Sequence, residues 1–299
     1  MDRLHLMTVF VAVAEEESFA AGARRLAMSP PAVTRAIAAL EERLGVKLFN
    51  RTTRYVRVTD AGSRYLEDCR RIIHEADEAD EVAAGINAQP RGLLAVTAPV
   101  MFGRLFVIPG IVDYLSRYPE MEVSAIFLDR VVNLLEEGLD VGIRIGELPD
   151  SSMRAIPVGA IRRVVCASPA YLAENGVPKH PSELAGHFVV AATPVTPTVD
   201  WKFAHGIAVH VKPRLTVTHN DAAIEAILKD IGITRLMSYQ VAAYLASGQL
   251  QIVLHEFEPA PLPIHVIYRE GRNASAKVRA FVDLMVNNLR SDQALNYQN

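Results

Sequence analysis

The run Ser29-Pro30-Pro31 constrains the folding of this chain more than any other feature. Proline lacks an N–H and clashes with the preceding turn, so it is tolerated at the start of a helix and hardly anywhere further in. Ser29 therefore reads as an N-cap and Pro30 as the first helical residue. From there Val33, Ile37, Leu40 and Leu44 recur at three- and four-residue spacing and gather into one narrow stripe. Gly45 is placed to end the helix in a left-handed turn. Upstream, Leu4, Met7, Phe10, Val11 and Ala14 predict an amphipathic helix. Ser18 caps a short second helix, with Phe19, Ala23 and Leu26 facing inward and Arg24 and Arg25 outward.

The opposite side of the third helix carries Pro31, Arg35, Ala38 and Glu42, with Thr34 between the faces. Small side chains there allow a helix to approach base edges in a major groove, and Arg35 suits a guanine edge or a phosphate. Plain three-helix packing is the alternative. Charge separates the two. The whole chain, 31 Lys and Arg against 34 Asp and Glu, is net −3, which excludes a bulk basic coat. Ser18 to Thr59 nevertheless holds eight basic residues against Glu41 and Glu42, a local +6, and Asp60 to Gln89 reverses to −5. A confined basic segment is the footprint of phosphate binding. Within it, Lys47–Phe49 and Tyr55–Val58 alternate as two short strands around residues 50–54. A hairpin with Arg51 and Arg54 at its tip can serve as a wing on a nucleic-acid backbone.

Thr59 is positioned to cap a long helix reaching about Ala88, which would span roughly 40 Å. Tyr65, Cys69, Ile72, Ala76, Ala79, Ala83 and Ile86 alternate four- and three-residue spacings along it. This is a heptad seam, predicting contact with a second helix; packing of the stripe on its own domain is the alternative. Cys69 on the seam reads as packing, and with only one other cysteine, Cys166, no disulfide framework is available.

Gln89-Pro90-Arg91-Gly92 breaks that helix. Beyond it, strands are expected at Leu93–Thr97, Val123–Phe127, Val141–Ile145, Arg163–Ala167, Leu215–Thr218, Ile252–Leu254 and Ile264–Tyr268. Helices are expected at Arg104–Arg117, Val131–Glu137, Ala170–Asn175, Ala222–Lys229, Gln240–Ala246 and Ser275–Leu289. The alternation predicts α/β architecture with mostly parallel sheets. A less regular stretch from Trp201 to His219, followed by a final strand and helix, suggests two lobes flanking a ligand cleft.

The ordered stretches Phe10–Ala14, Ser18–Ala21, Ala23–Leu26, Ser29–Ile37, Leu40–Gly45, Leu48–Arg51 and Val58–Gly62 resemble the winged helix-turn-helix of LysR-type transcriptional regulators. Pro30 stands where glutamine is frequent. Gly22 stands where alanine is usual, which would weaken the second helix by up to ~1 kcal/mol. Pro109–Pro119, Leu134–Gly146, Cys166–Leu172, Gly232–Tyr239 and Gly248–Leu250 resemble the effector domain of the same family. The resemblance implies a winged helix-turn-helix head at 1–59, a linker and dimerisation helix at 60–89, and a two-lobed, periplasmic-binding-protein-like α/β domain at 90–299. Lobe I would take about 91–161 and 265–299, and lobe II about 162–264. It implies DNA contacts from Ser18, Arg24, Ser29, Pro30, Pro31, Thr34, Arg35, Arg51, Thr52 and Arg54.

By the same resemblance, the cleft is bordered in lobe I by Pro99, Val100, Met101, Phe102, Leu128, Asp129, Arg144 and Gly146. Its far wall is expected from Trp201, His219, Asn220 and Asp221 and from the turn at Leu236–Ser238, which includes Met237. Helix N-termini and Arg144 would hold an anionic group, whereas Trp201 as core and Asn220 as a helix cap are the alternatives. Implied partners are double-stranded DNA, a small-molecule effector, a second copy of the chain (a homodimer, assembling to a homotetramer) and RNA polymerase. No phosphate-cradling loop, nucleophile elbow or metal-binding spacing occurs, so no enzyme, cofactor or metal is expected. The apolar run Leu6–Ala14 is too short to span a bilayer, and the expected location is the cytoplasm. Two other readings stay open: a DNA-binding protein indifferent to ligand, and a ligand-binding protein or enzyme whose head has lost DNA affinity.

Overall fold

The computed structural model describes residues 2–51, 56–84, 89–148, 153–192, 200–269 and 275–295. It divides into two compact units, residues 1–88 with 133–138, and residues 89–132 with 139–299.

In the first unit, α1 (Arg3–Glu15), α2 (Phe19–Arg25) and α3 (Pro30–Leu44) surround one core. Leu6, Met7, Val9, Phe10, Ala12 and Val13 of α1 are buried, whereas Leu4, Val11 and Ala14 are half-buried. This helix is thus enclosed on more sides than a single stripe, because it packs against α2, α3 and the linker helix at once. Ser18 caps α2, its Oγ accepting from the Ala21 N–H at 3.2 Å. Gly22 proves to have a packing role: a Cβ there would lie 3.0 Å from Val13 Cγ2 and 3.1 Å from Val13 Cα. Pro30 opens α3 as expected, although Ser29 caps it through its carbonyl rather than its hydroxyl, and Gly45 closes it at φ 70°.

Strands β1 (Phe49–Arg51) and β2 (Val56–Val58) pair antiparallel, with Asn50 opposite Arg57. The first strand therefore begins two residues later than the sequence pattern suggests: the Leu48 N–H donates to the Glu41 carboxylate and its carbonyl accepts from the Thr59 N–H, both outside the β1–β2 ladder. Helix α4 (Asp60–Ala84) follows. Thr59 caps it as expected: its Oγ1 accepts from the Gly62 N–H at 2.9 Å and donates to the Lys47 carbonyl at 2.8 Å. Gly62 is obligatory here, because a Cβ would collide with the Leu48 carbonyl oxygen.

The second unit contains two five-stranded sheets. The first orders β4 (Met121–Phe127), β3 (Gly92–Ala98), β5 (Val141–Ile145), β14 (Leu262–Arg269) and β6 (Met153–Ile161). The second orders β11 (Pro213–Val217), β8 (Val189–Ala192), β12 (Ile233–Met237), β7 (Arg163–Ala167) and β13 (Gln251–Val253). A hairpin of β9 (Asp200–Lys202) and β10 (Ala208–His210) packs on the second sheet. The sheets are mixed rather than mostly parallel: β3 pairs parallel with β4 and β5, β8 with β11 and β12, and the remaining pairings are antiparallel. Only Arg162 separates β6 from β7, and there the chain crosses from the first sheet to the second.

Five strands escaped the sequence pattern, β6, β8, β9, β10 and β12, the last expected to be a turn at its end. The helix expected at Val131–Glu137 is absent; the stretch is irregular, with turns over 134–138. Val132, Leu134 and Leu139 anchor it while Val131 stays 84% exposed. Residues 100–117 run on as one helix, α5 (Val100–Phe102), a π-helical Gly103–Val107, and α6 (Ile108–Arg117), starting four residues before the expected Arg104. α7 (Pro169–Asn175), α8 (Asn220–Ile227), α9 (Ser238–Ala246) and α10 (Ala276–Ser291) complete the unit. No helix among the described residues is long and apolar enough to cross a membrane.

Candidate functional site

Helix α3 has two chemically distinct sides. Val33, Ile37 and Leu40 are fully buried, each contributing roughly 1.5–3 kcal/mol by leaving water. Pro31, Thr34, Arg35, Ala38 and Glu42 are exposed, as are Ser29 and Pro30 at its start. The Thr34 hydroxyl donates to the Pro30 carbonyl at 3.0 Å, which fixes its rotamer and leaves its oxygen lone pairs outward. Arg24 and Arg35 are exposed and make no hydrogen bond or ion pair with any described residue. Arg25 behaves differently. Glu15 accepts from Arg25 Nη1 at 2.7 Å and from Arg70 of α4 at 2.8 and 3.0 Å, so these two cations are tied to the framework.

Glu41 carries the geometry of the wing. It is buried, 3% exposed, and accepts from Lys47 Nζ at 2.8 Å and from the backbone N–H groups of Leu48 and Phe49 at 2.9 and 3.3 Å. Burial alone would push its carboxyl up, but these hydrogen bonds outweigh it and hold it below the ordinary 4.5. In the charge balance of this segment Glu41 is simply one of two acids set against eight cations. Its position four residues after Ile37, on the buried face, was the available signal. The wing's Arg51 lies within β1 rather than at a tip, and its side chain, with Thr52, Tyr55 and Arg54, falls outside the described residues.

In the second unit, the lobe-I residues expected at the cleft do gather at one end of the first sheet, after the C-termini of three adjacent parallel strands. Pro99–Phe102 follow β3, Leu128 and Asp129 follow β4, and Arg144–Gly146 end β5. Leu128 N–H donates to the Ala98 carbonyl at 2.9 Å, and Asp129 Oδ1 accepts from the Val100 N–H at 3.0 Å. Asp129 thus already occupies the N-terminus of the helix that begins at Val100, so this helix start is not open to an anionic ligand as the resemblance implies. Gly146, at φ 112°, faces open space. Arg144 Nη1 donates to the Ile143 carbonyl at 2.9 Å, while Asp140 is buried and accepts from the Ala95 N–H at 2.7 Å. Met101 and Phe102 are buried; Phe102 belongs to an aromatic cluster with Phe106 and Tyr239, at ring separations of 4.8 and 5.4 Å.

In the second sheet, Met237 ends β12 half-buried, and exposed His219 caps α8, in place of Asn220, which is its first turn. Trp201 does not line a wall. It is 4% exposed, within a separate core under the second sheet with Val165, Phe203 and Ile233.

A helix-turn-helix head followed by a two-sheet unit has counterparts among known proteins. Residues 4–63 match the bacterial regulatory helix-turn-helix protein family described as lysR, and residues 87–290 match the LysR substrate binding domain. The chain belongs to the LysR family of transcriptional regulators. It is 33% identical over 291 residues to an HTH-type transcriptional regulator of Xanthomonas campestris, covering 95% of this chain and 85% of that one. It is 32% identical over 286 residues to the HTH-type transcriptional regulator CrgA of Neisseria meningitidis, covering 95% and 96%. The solved structure of CrgA superposes with a TM-score of 0.62 over 97% of this chain and 99% of that one, at 32% identity. The relatives are regulators, not enzymes.

As a LysR-type chain it uses its linker helix in two parts. Cys69 is fully buried in the head core, with Tyr65 and Ile72 packed against that core, so the first turns of the heptad seam are spent within the chain. Burial pushes the Cys69 thiol up to about 11 and the Cys166 thiol up to about 12, and neither is a ready nucleophile at neutral pH. Ala76 and Ala79 lie beyond the head, half-buried and exposed. The Ala83 side chain and Ile86 fall outside the described residues.

Proposed function

We propose that this LysR-type regulator binds DNA as a homodimer through two copies of α3, with Ser29, Pro31, Thr34 and Arg35 toward base edges and Arg24 and the wing arginines toward phosphates. The observation that carries this reading is the two-sided character of α3, buried at Val33, Ile37 and Leu40 and small or uncompensated on its outer face. Dimerisation runs through the distal half of α4, from Ala76 onward, and two dimers assemble into a tetramer. A small effector, and no cofactor, enters the cleft near Gly146, Leu128 and Met237. It acts by binding two arrangements of the regulatory units with different affinity. The protein works in the cytoplasm, beside RNA polymerase.

Genomic fragments selected by the full chain test this reading. The expected result is enrichment of sites carrying two related half-sites about one helical turn apart or a multiple of it, lost in Arg35→Ala; no enrichment at low ionic strength overturns it. Ala76→Asp with Ala79→Asp is expected to lower the mass measured by light scattering without unfolding the head. Retention of the parent mass would move the dimer contact elsewhere.

A further inference from the structure

The first turn of α3 is stripped of hydrogen-bond donors. An ordinary α-helix leaves its first four N–H groups without a partner inside the helix, ready for a cap or an anion. In α3 the first two residues, Pro30 and Pro31, have no N–H to offer. The next two, Ala32 and Val33, donate theirs to the Ser29 carbonyl at 2.9 and 3.1 Å. The Thr34 hydroxyl is spent on the Pro30 carbonyl, so Thr34 can only accept. Pro31, Thr34 and Ala38 are three and four positions apart and share one exposed strip, which the exposed Pro30 prolongs. Among the exposed side chains of this face, only Ser29 and Arg35 keep a proton to donate. Glu42, exposed on the same side near the far end of the helix, favours entry into a polyanion by the proline end. The basic segment around α3, a local +6, draws a duplex to a surface made here of ring carbons and methyl groups. Carbon cannot hydrogen-bond a base edge. What it can recognise in the major groove is the C5-methyl group of thymine.

We propose that Pro30 and Pro31 act as a thymine reader, their rings packing on thymine methyl groups in the major groove of each half-site. The inference rests on the placement of α3 against base edges given above, and adds which base its first turn selects. Pro30 sets this chain apart, because it stands where glutamine is frequent in the family. A glutamine amide there hydrogen-bonds a base, adenine by preference, whereas a proline ring offers only apolar contact.

The test binds the full chain to a duplex carrying the two half-sites that it enriches from genomic fragments, with deoxyuridine replacing thymidine at one position at a time. Deoxyuridine keeps every hydrogen-bonding group of thymidine and lacks only the methyl. The expected result is a fall in affinity of about fourfold, the worth of one buried methyl group, at one or two positions in each half-site. Thymidines outside the half-sites should tolerate the exchange. At the sensitive positions, 5-methyldeoxycytidine paired with guanine should bind more tightly than deoxycytidine in the same pair. In Pro30→Gln the deoxyuridine penalty should vanish at one of these positions, with thermal unfolding confirming a folded head. Indifference to deoxyuridine throughout the half-sites overturns the proposal, while loss of selection in Arg35→Ala would still keep α3 on the base edges. A penalty that persists undiminished in both Pro30→Gln and Pro31→Ala also overturns it, because the methyl contact then belongs to another side chain. Absence of any selected site overturns it together with the reading on which it rests.

Discussion

The head and the second sheet of the regulatory unit distribute charge in opposite senses. In the head the buried ionised group is an acid, Glu41, whose oxygens take hydrogen bonds from Lys47, Leu48 and Phe49 of the same chain. Among the cations there that no described residue neutralises are Arg24 and Arg35, and they stand on the surface. In the second sheet the half-buried groups are cations, Arg163 and Arg235, and no acid among the described residues meets them. A charge satisfied within the chain is part of the framework, because removing its partners leaves unpaired groups in a poor solvent. A charge left over marks where another molecule supplies the counterpart. On the open head surface that counterpart can be a long polyanion.

Breaking the framework side of this comparison should have the largest effect. Glu41→Ala strands the Leu48 and Phe49 N–H groups and is expected to destabilise the head by about 3 kcal/mol, read from urea unfolding. Because the folded carboxyl titrates below its ordinary 4.5, its contribution is complete above that value and is lost as pH falls through the lowered one. The parent and variant curves should therefore converge in acid; parallel curves down to the lowest folded pH would remove Glu41 from the framework. Next in size is Arg35→Ala, expected to weaken specific DNA binding by about 1–3 kcal/mol with unfolding unchanged. If Arg35 meets a phosphate, the slope of log affinity against log salt also flattens by about 1. A specificity change without a slope change assigns it to a base edge.

The head was readable in sequence because its signals are local. A proline at a helix start, an N-cap at Ser18 and the stripe of Val33, Ile37 and Leu40 each act within a few residues. What escaped was non-local: Glu41 reaching the start of the wing, Gly22 admitting Val13, and the use of Cys69 and Ile72 inside the head rather than against a second helix. In the regulatory unit the parallel strands β3, β4 and β5 follow apolar runs, but β8 and β12 read ambiguously because both their faces are covered. Trp201 looked like a cleft wall and is core, since a lone tryptophan carries no sign of which layer will cover it. Arg163 and Arg235 lie 72 positions apart and become neighbours only through the β7–β12 register.

The smallest effect sharpens the comparison most. Arg25 and Arg70 sit on the same head as Arg35, carry the same charge and are similarly exposed, yet both converge on Glu15. If partnering rather than exposure separates framework from interface, Glu15→Gln should cost stability, though less than about 1 kcal/mol because the pairs are solvated. That loss should shrink in high salt, where exposed pairs are screened. Arg70→Ala, which removes one cation from the same cluster, should leave both DNA affinity and its salt slope unchanged. A fall in affinity with Arg70→Ala comparable to that of Arg35→Ala would mean that every exposed head arginine contributes to the DNA field, and that intramolecular pairing is no guide to the interface.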